Sequence, residues 1–409
     1  MDKTRPLDGI RIVDWTSRQQ GPAASVMLGD LGAEVIKIEA KDGGDPTRGI
    51  KITGSIPMAE LGHGRNFYFE ANNYNKKSIA VDLKSPEGKA IVYRLVERSD
   101  IFMENTRQSV VKKLGMDYET LCTHNPRIVY VSATAYGSKG PDADKPGLDY
   151  SIQGRSGLML SVGEPDMPPV YTQIGLADQI GAIMVAYAAV VGLLTRDRLG
   201  VSQKIEASLL GSLMTAMTLN ISRKLLAGEE FPRISRSATR NPLWNHYKCG
   251  DGKWICFSMG GQSDLYWHDF CEAIGAQELE HDPRFQNLQK RAEHGQELIS
   301  ILDDILLTKP RDEWVNLLNK KDLLFDVVST ISDLVVDPQV LANEYVVDFD
   351  HPVLGRVKKL GSPIKLSRTP AYTSSAAPDL GQHTEQVLKE ICGYSEDDVA
   401  ALKMKGVIP

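Results

Sequence analysis

The stretch Pro6–Glu39, PLDGIRIVDWTSRQQGPAASVMLGDLGAEVIKIE, decides the fold. Ile10–Asp14 is a short run of β-branched residues, and the Gly21-Pro22 turn follows it. From Ala23 to Leu31 the spacing predicts a helix, which Gly32 stops, and Val35–Ile38 is the next β-rich run. A strand, a turn, a helix and a second strand in this length make one right-handed crossover unit.

The pattern repeats downstream. Ser78–Asp82 reads as a strand. Pro86 and Glu87 open a helix that runs to Arg98, with proline suited to the first turn. Asp100–Glu104 and Ile128–Ser132 are further strands. Strands alternating with helices predict an α/β protein with a parallel, doubly wound sheet.

Residues 136–173 change character, with glycine and proline dense between Gly137 and Pro169. Such a loop-rich stretch is where functional residues gather. An apolar helix begins near Asp178, and the pattern predicts a second helix over Lys204–Ala227. Phe231–Asn241 is polar and basic and reads as a linker. Asn245–Ser258 holds a Gly250-Asp251-Gly252 turn between two β-rich runs, which signals a hairpin. Helices at Tyr266–Ile274, at Gly295–Leu307 and from Arg311 complete a smaller α+β region. After Asp337 the chain returns to strands and closes with a helix over His383–Cys392. The expected domains are therefore 1–225, 226–335, and a C-terminal segment 336–409 that rejoins the first.

Composition narrows the function classes. The chain has 409 residues, enough for two cores, with 42% hydrophobic and 24% charged residues as in a soluble globular protein. A net charge of -6 gives no support for a nucleic-acid partner. The five cysteines are widely spaced, and Cys249 and Cys256 lack a zinc-ligand spacing, so the expectation is a reducing, cytoplasmic setting and no metal. Between Ile174 and Thr195 the sole charged residue is Asp178. That length spans a bilayer, but its many small residues and its aspartate favour a buried helix, so no membrane partner is expected.

Asp178 stands where the Gly/Pro-rich loop meets this helix. It reads either as an ordinary helix cap or as a covalent nucleophile, held ionised by helix N–H groups and the helix dipole. Gln19 and Gln20 follow the first strand, where open sheets bind ligands, and read as oxyanion donors or as a solvated turn. Asp149 is placed to orient a catalytic group or move a proton. Lys37, Lys41 and Arg48, then Lys76 and Lys77, then Arg107, Lys112 and Lys113 lie near strand ends. They suit a cofactor rich in phosphate, or form a solvated charged face. There is no GxGxxG or Walker loop. His246 has no Ser or Cys nucleophile beside it and reads as structural or pocket-lining.

These pieces also carry a resemblance. Pro6–Asp14, the Gln-Gly-Pro turn and Leu31–Glu39 resemble the N-terminal signature of the class III CoA-transferases. That family includes formyl-CoA transferase and carnitine CoA-transferase, with the related α-methylacyl-CoA racemases. Asn75–Ser78, Asp82–Gly88, Glu104-Asn105, Lys113–Gly115, Gly147–Tyr150, Gly175–Asp178, Gly200–Gln203, Arg368–Ala371 and Gly381–Glu385 extend it along nearly the whole chain.

The resemblance implies a Rossmann-like large domain built from both chain ends, a smaller α+β domain and an interlocked homodimer. It implies coenzyme A and its acyl thioester as substrate, with no permanently bound cofactor. Asp178 then matches the nucleophile, which carries first an acyl group and then CoA. Gln19 matches a position that hydrogen-bonds the reacting carbonyl, and Asp149 stands where formyl-CoA transferase has a Glu. Lys113 matches a CoA-contacting position, with Lys76 and Lys77 in a similarly placed basic loop. The racemases carry a His before the position of Asp149; here it is Leu148, which disfavours the racemase alternative. A non-catalytic CoA-binding protein is the remaining alternative. No counterpart of the glycine loop of formyl-CoA transferase is evident, and Gly260-Gly261-Gln262 reads as a plain turn. Trp244, Tyr247 and Trp254 suggest room for an acid larger than formate or oxalate.

Overall fold

The computed structural model describes residues 5–54 and 56–409. The chain divides into two compact units. The first holds residues up to 159, 171–230 and 343–409; the second holds 160–170 and 231–342.

The first unit is built on a six-stranded parallel sheet. Its strands are β1 (Arg11–Trp15), β2 (Glu34–Glu39), β3 (Lys76–Ala80), β4 (Ile101–Glu104), β5 (Val129–Thr134) and β6 (Lys204–Ser208). The spatial order is β6-β5-β4-β1-β2-β3. The chain runs outward from β1 through β2 to β3, then returns to lay β4 on the other side of β1. The junction of β1 and β4 is the switch point, where the crossovers to either side leave a crevice beyond the strand ends.

The helices of this unit are α1 (Gln20–Asp30), α2 (Phe67–Asn73), α3 (Pro86–Val96), α4 (Gln108–Leu114), α5 (Tyr118–His124), α6 (Asp149–Arg155), α7 (Leu176–Leu199), α8 (Leu209–Ala216) and α9 (Thr218–Ala227). Successive strand residues face opposite ways, so each strand feeds two cores. Val13, Ile36, Phe102 and Tyr130 face one side, against Ile91, Val92 and Leu95 of α3. Ile12, Val35, Ile101 and Val131 face the other, against Ala24 and Leu28 of α1 and Ala182, Val185 and Ala189 of α7.

Helix α7 lies close on the sheet because its inner stripe is small. A Cβ at Gly192 would stand 2.5 Å from Val129 Cγ1 and 2.6 Å from Ile205 Cδ1. This is the one helix among the described residues that is long and apolar enough to cross a membrane. Its buried stripe packs on the sheet, as the density of small residues suggests, while Ile183, Tyr187 and Leu194 on its other face are exposed.

In the second unit, β7 (Trp244–Lys248) and β8 (Trp254–Ser258) form the expected hairpin, and β9 (Phe325–Val328) adds a third antiparallel strand. Helices α10 (Ser263–Ile274), α11 (Gly295–Leu306) and α12 (Arg311–Leu318) cover it, with Phe257, Phe270, Leu302 and Trp314 in the core. Gly260 and Gly261 are the turn leading into α10. The chain then rejoins the first unit as the hairpin β10 (Val346–His351) and β11 (Gly355–Leu360), followed by α13 (Thr384–Glu390) and α14 (Glu396–Met404). Val387, Leu388, Val399 and Leu402 complete the core behind β1. The first unit is thus built from both ends of the chain.

One expected element is corrected. Lys204–Ser208 is not helix but the edge strand β6, paired in register with β5 from Lys204 opposite Tyr130 to Ser208 opposite Thr134. Sheet hydrogen bonds outweigh local helix propensity there. The Ser208 hydroxyl then accepts from Gly211 N and opens α8.

Candidate active site

The turn after β1 is held rigidly. Asp14, at the carboxyl end of β1, is wholly buried. Its carboxylate accepts from Thr16 N at 3.0 Å, from the Ser25 hydroxyl at 2.6 Å and from Lys76 Nζ at 3.0 Å. Burial alone would raise this acid, but Lys76 and Lys37, with the Ser25 and Thr16 hydroxyls, together outweigh burial and hold it at about 2. Asn105, beyond β4, clasps the turn from the switch-point side: its Oδ1 accepts from Ser17 N at 2.9 Å and its Nδ2 donates to Ser17 O at 2.8 Å. Arg18 takes a left-handed conformation, φ +68°, unusual for a residue with a side chain. Gln19 follows and presents its carboxamide at the start of α1.

That carboxamide lies against the mouth of α7. Gln19 Nε2 donates to Gly175 O and to Gln179 Oε1, each at 3.4 Å, and Gln19 Oε1 accepts from the Tyr68 hydroxyl at 3.3 Å. Gly175, just before α7, has φ +76°, and a Cβ there would collide with the Gln19 carboxamide. Glycine is required on both counts.

The free N–H groups of α7 go to Asp149. Its Oδ1 accepts from Ala177 N at 2.7 Å and Asp178 N at 3.3 Å. Its Oδ2 accepts from the Tyr171 hydroxyl at 2.7 Å and Gln153 Nε2 at 2.9 Å. Asp149 is therefore the cap of α7, reaching in from α6. This corrects the expectation that helix N–H groups keep Asp178 ionised. Among the described residues the Asp178 carboxylate has no hydrogen-bond partner; it is half-buried in the first turn of α7. Burial, then the Asp149 carboxylate, raise it to about 7, against the pull of the Arg18 guanidinium. Asp178, Gln19 and Asp149 thus form one constellation, joined by Arg18, Tyr68, Tyr171 and Gln179, which sequence reasoning did not single out. Arg18 and Gln179 had a signal, as the neighbours of Gln19 and Asp178, whereas Tyr68 comes from a segment far from either.

The basic residues do not converge in the same way. Lys37 is fully buried, with its ammonium 2.9 Å from Asp45 Oδ2 and donating to Thr16 O at 2.8 Å. Lys76 is equally enclosed, donating to Asp14, to Pro22 O at 2.9 Å and to Asn73 Oδ1 at 3.0 Å. Neither presents an ammonium to a ligand here, because each neutralises buried carboxylates at the strand ends. Lys77 pairs with Glu34 at 2.7 Å, and Lys41 donates to Gly406 O at 2.7 Å. Arg107 and Lys113, at the two ends of α4, are exposed and have no ion pair among the described residues. At the carboxyl ends of β1 and β2 lies a cleft of about 160 Å³, lined by Trp15, Thr16, Lys37, Glu39, Asp45 and Thr106.

The second unit has its own cavity, of about 650 Å³, lined by Glu164, Met167, Arg236, Trp244, His246 and Phe257 among others. Trp244 and His246 face outward on β7, as pocket-lining residues. Tyr247, the residue after His246, points the other way, is fully buried, and donates to Pro242 O at 2.7 Å, so it lines no acid pocket.

A carboxylate unpartnered among the described residues, an amide donor at the same helix mouth and N–H groups already capped define a class of site. It suits covalent acyl chemistry on a carboxyl nucleophile, at the ligand-binding edge of a Rossmann-like sheet. Comparison with known proteins identifies the family. The family described as CoA-transferase family III matches residues 7–384. An (R)-2-hydroxy-4-methylpentanoate CoA-transferase from Clostridioides difficile is 31% identical over 403 residues, 98% of this chain and 99% of its own. A succinyl-CoA–D-citramalate CoA-transferase from Chloroflexus aurantiacus is 31% identical over 99% of this chain and 98% of its own. The crystal structure of a CAIB/BAIF family protein from Brucella suis superposes with a TM-score of 0.84, at 29% identity, covering 95% of this chain and all of that one. This chain belongs to CoA-transferase family III and is a CoA-transferase.

Proposed function

We propose that this enzyme moves CoA from an acyl-CoA donor to a carboxylic acid through covalent intermediates on Asp178. The observation that carries the reading is the Asp178 carboxylate itself: raised to about 7, unpartnered among the described residues, and in the helix turn whose Gly175 O and Gln179 Oε1 receive the Gln19 amide. A carboxylate with a raised pKa is a stronger nucleophile once ionised, and near neutral pH the ionised form is well populated.

Asp178 adds to the thioester carbonyl carbon and the C–S bond breaks. This leaves a mixed anhydride and CoA thiolate. The thiolate attacks the Asp178 carbonyl, forming an aspartyl-CoA thioester and releasing the donor acid as carboxylate. The acceptor carboxylate then attacks this thioester to give a second anhydride and thiolate. The thiolate finally takes the acceptor acyl group and restores Asp178. Every intermediate stays activated, so no ATP enters. Gln19 Nε2 supplies a hydrogen bond to the oxyanion formed at each addition. Asp149, saturated by four donors, holds the mouth of α7 in place. Arg107 and Lys113 are the exposed cations that best suit the phosphates of CoA.

Incubation with acyl-CoA thioesters and hydroxylamine or borohydride should modify Asp178, read by peptide mass spectrometry. Full transferase turnover by Asp178→Ala would overturn the assignment.

The enzyme also works, in this reading, as a homodimer. Ile183, Tyr187 and Leu194 of α7, with Leu219, Leu225 and Leu226 of α9, are exposed apolar side chains that a second copy of the chain would cover. Sedimentation at micromolar concentration tests this; a monomer there refutes it.

A further inference from the structure

The Gln19 carboxamide has two ends, and only one can serve an oxyanion. Its Oε1 takes the Tyr68 hydroxyl, while its Nε2 faces Gly175 O and Gln179 Oε1. Turned end for end, the amide would set Oε1 against two acceptor oxygens. Tyr68 must therefore be the donor, and its hydroxyl meets the end that must not face the substrate. Tyr68 is fixed in turn at the start of α2, where Asn66 Oδ1 accepts from Tyr68 N at 2.8 Å. Burial, followed by the nearby Asp178 charge, pushes the phenol far above its ordinary value, so it remains a donor at working pH. The bonds from Nε2 are long, at 3.4 Å. They are weak enough to be exchanged for a charged oxygen at little loss.

We propose that Tyr68 is a positioning residue of the transfer reaction: its hydroxyl orients the Gln19 carboxamide so that Nε2 donates to the thioester oxygen as Asp178 adds to the carbonyl. This rests on the Asp178 reading and adds to it a residue from a different segment of the chain.

The test is a double-mutant cycle of Tyr68→Phe and Gln19→Ala in the full-length enzyme, with Asp178→Ala assayed alongside. Tyr68→Phe should lower kcat by about tenfold, the loss of one well-placed hydrogen bond, and leave KM within about twofold. In the Gln19→Ala background the same change should do nothing further. An equal loss in both backgrounds, or a rise in KM with kcat intact, would overturn the proposal, because Tyr68 would then act without Gln19. A second readout needs no turnover: the side-chain amide NMR signals of Gln19 should shift in Tyr68→Phe, and unmoved signals would refute the orientation. Retained turnover in Asp178→Ala would strike the covalent mechanism alone, so the two failures are distinguishable.

Discussion

Replacing Asp178 by asparagine should destroy turnover and make the protein more stable above neutral pH. The carboxyl titrates at about 7 in the folded protein against 3.8 for an unburied one. Below pH 4 both states hold the proton and the group contributes nothing. As pH rises from 4 to 7 the unfolded chain ionises first, so the folded state loses ground by about 1.4 kcal/mol for each pH unit. Above pH 7 the penalty levels off. The rise from 3.8 to about 7 sets an upper bound of about 4 kcal/mol, and access of water to one side of this half-buried group brings the expectation to about 2 kcal/mol. Asparagine keeps the shape and removes the charge. Urea unfolding of both proteins from pH 4 to 9 should show Asp178→Asn gaining stability relative to the parent up to about pH 7, and then a plateau. A difference that stays flat with pH, or a parent that gains stability relative to Asp178→Asn as pH rises, would refute the reasoning, for Asp178 would then be an ordinary stabilised carboxylate.

Three further outcomes follow from the same geometry. Asp149→Asn removes the second cause of the raised Asp178 pKa, so the acid limb of kcat/KM should move to lower pH, at a stability cost of about 1 kcal/mol for the weakened cap; an unmoved limb counts against the coupling. Gly175→Ala forces a side chain into φ +76° and against the Gln19 amide, and should cost about 1–2 kcal/mol in thermal unfolding while lowering kcat at least tenfold. Lys76→Met strands the buried Asp14 carboxylate and should destabilise the fold by about 3–5 kcal/mol, with the KM for acyl-CoA unchanged in the protein that folds; a raised KM at full stability would instead make Lys76 a CoA ligand.

Much of the architecture was open to short-range reading. The β1–α1–β2 unit is written in periodicity and in a Gly-Pro turn, both properties of neighbouring residues. The hairpin around Gly250 and the helices of the second unit were legible for the same reason. Lys204–Ser208 was not, because an edge strand of lysine, glutamate and serine gets its hydrogen bonds from β5, some seventy residues earlier.

Residue order alone establishes a parallel α/β protein in which Asp178 is the single charge between Ile174 and Thr195. Together with its ordered motifs, that was enough to point to CoA-transferase chemistry. The assignment of charges came with folding. Asp149 and Asp178 look alike along the chain, yet the fold gives the helix N–H groups to the first and leaves the second unpartnered among the described residues. Lys37 and Lys76 look like surface cations, yet both end up buried beneath the strand ends. The electrostatic state of a group depends on what packs within a few ångströms of it in space, and spacing along the chain does not reveal those neighbours.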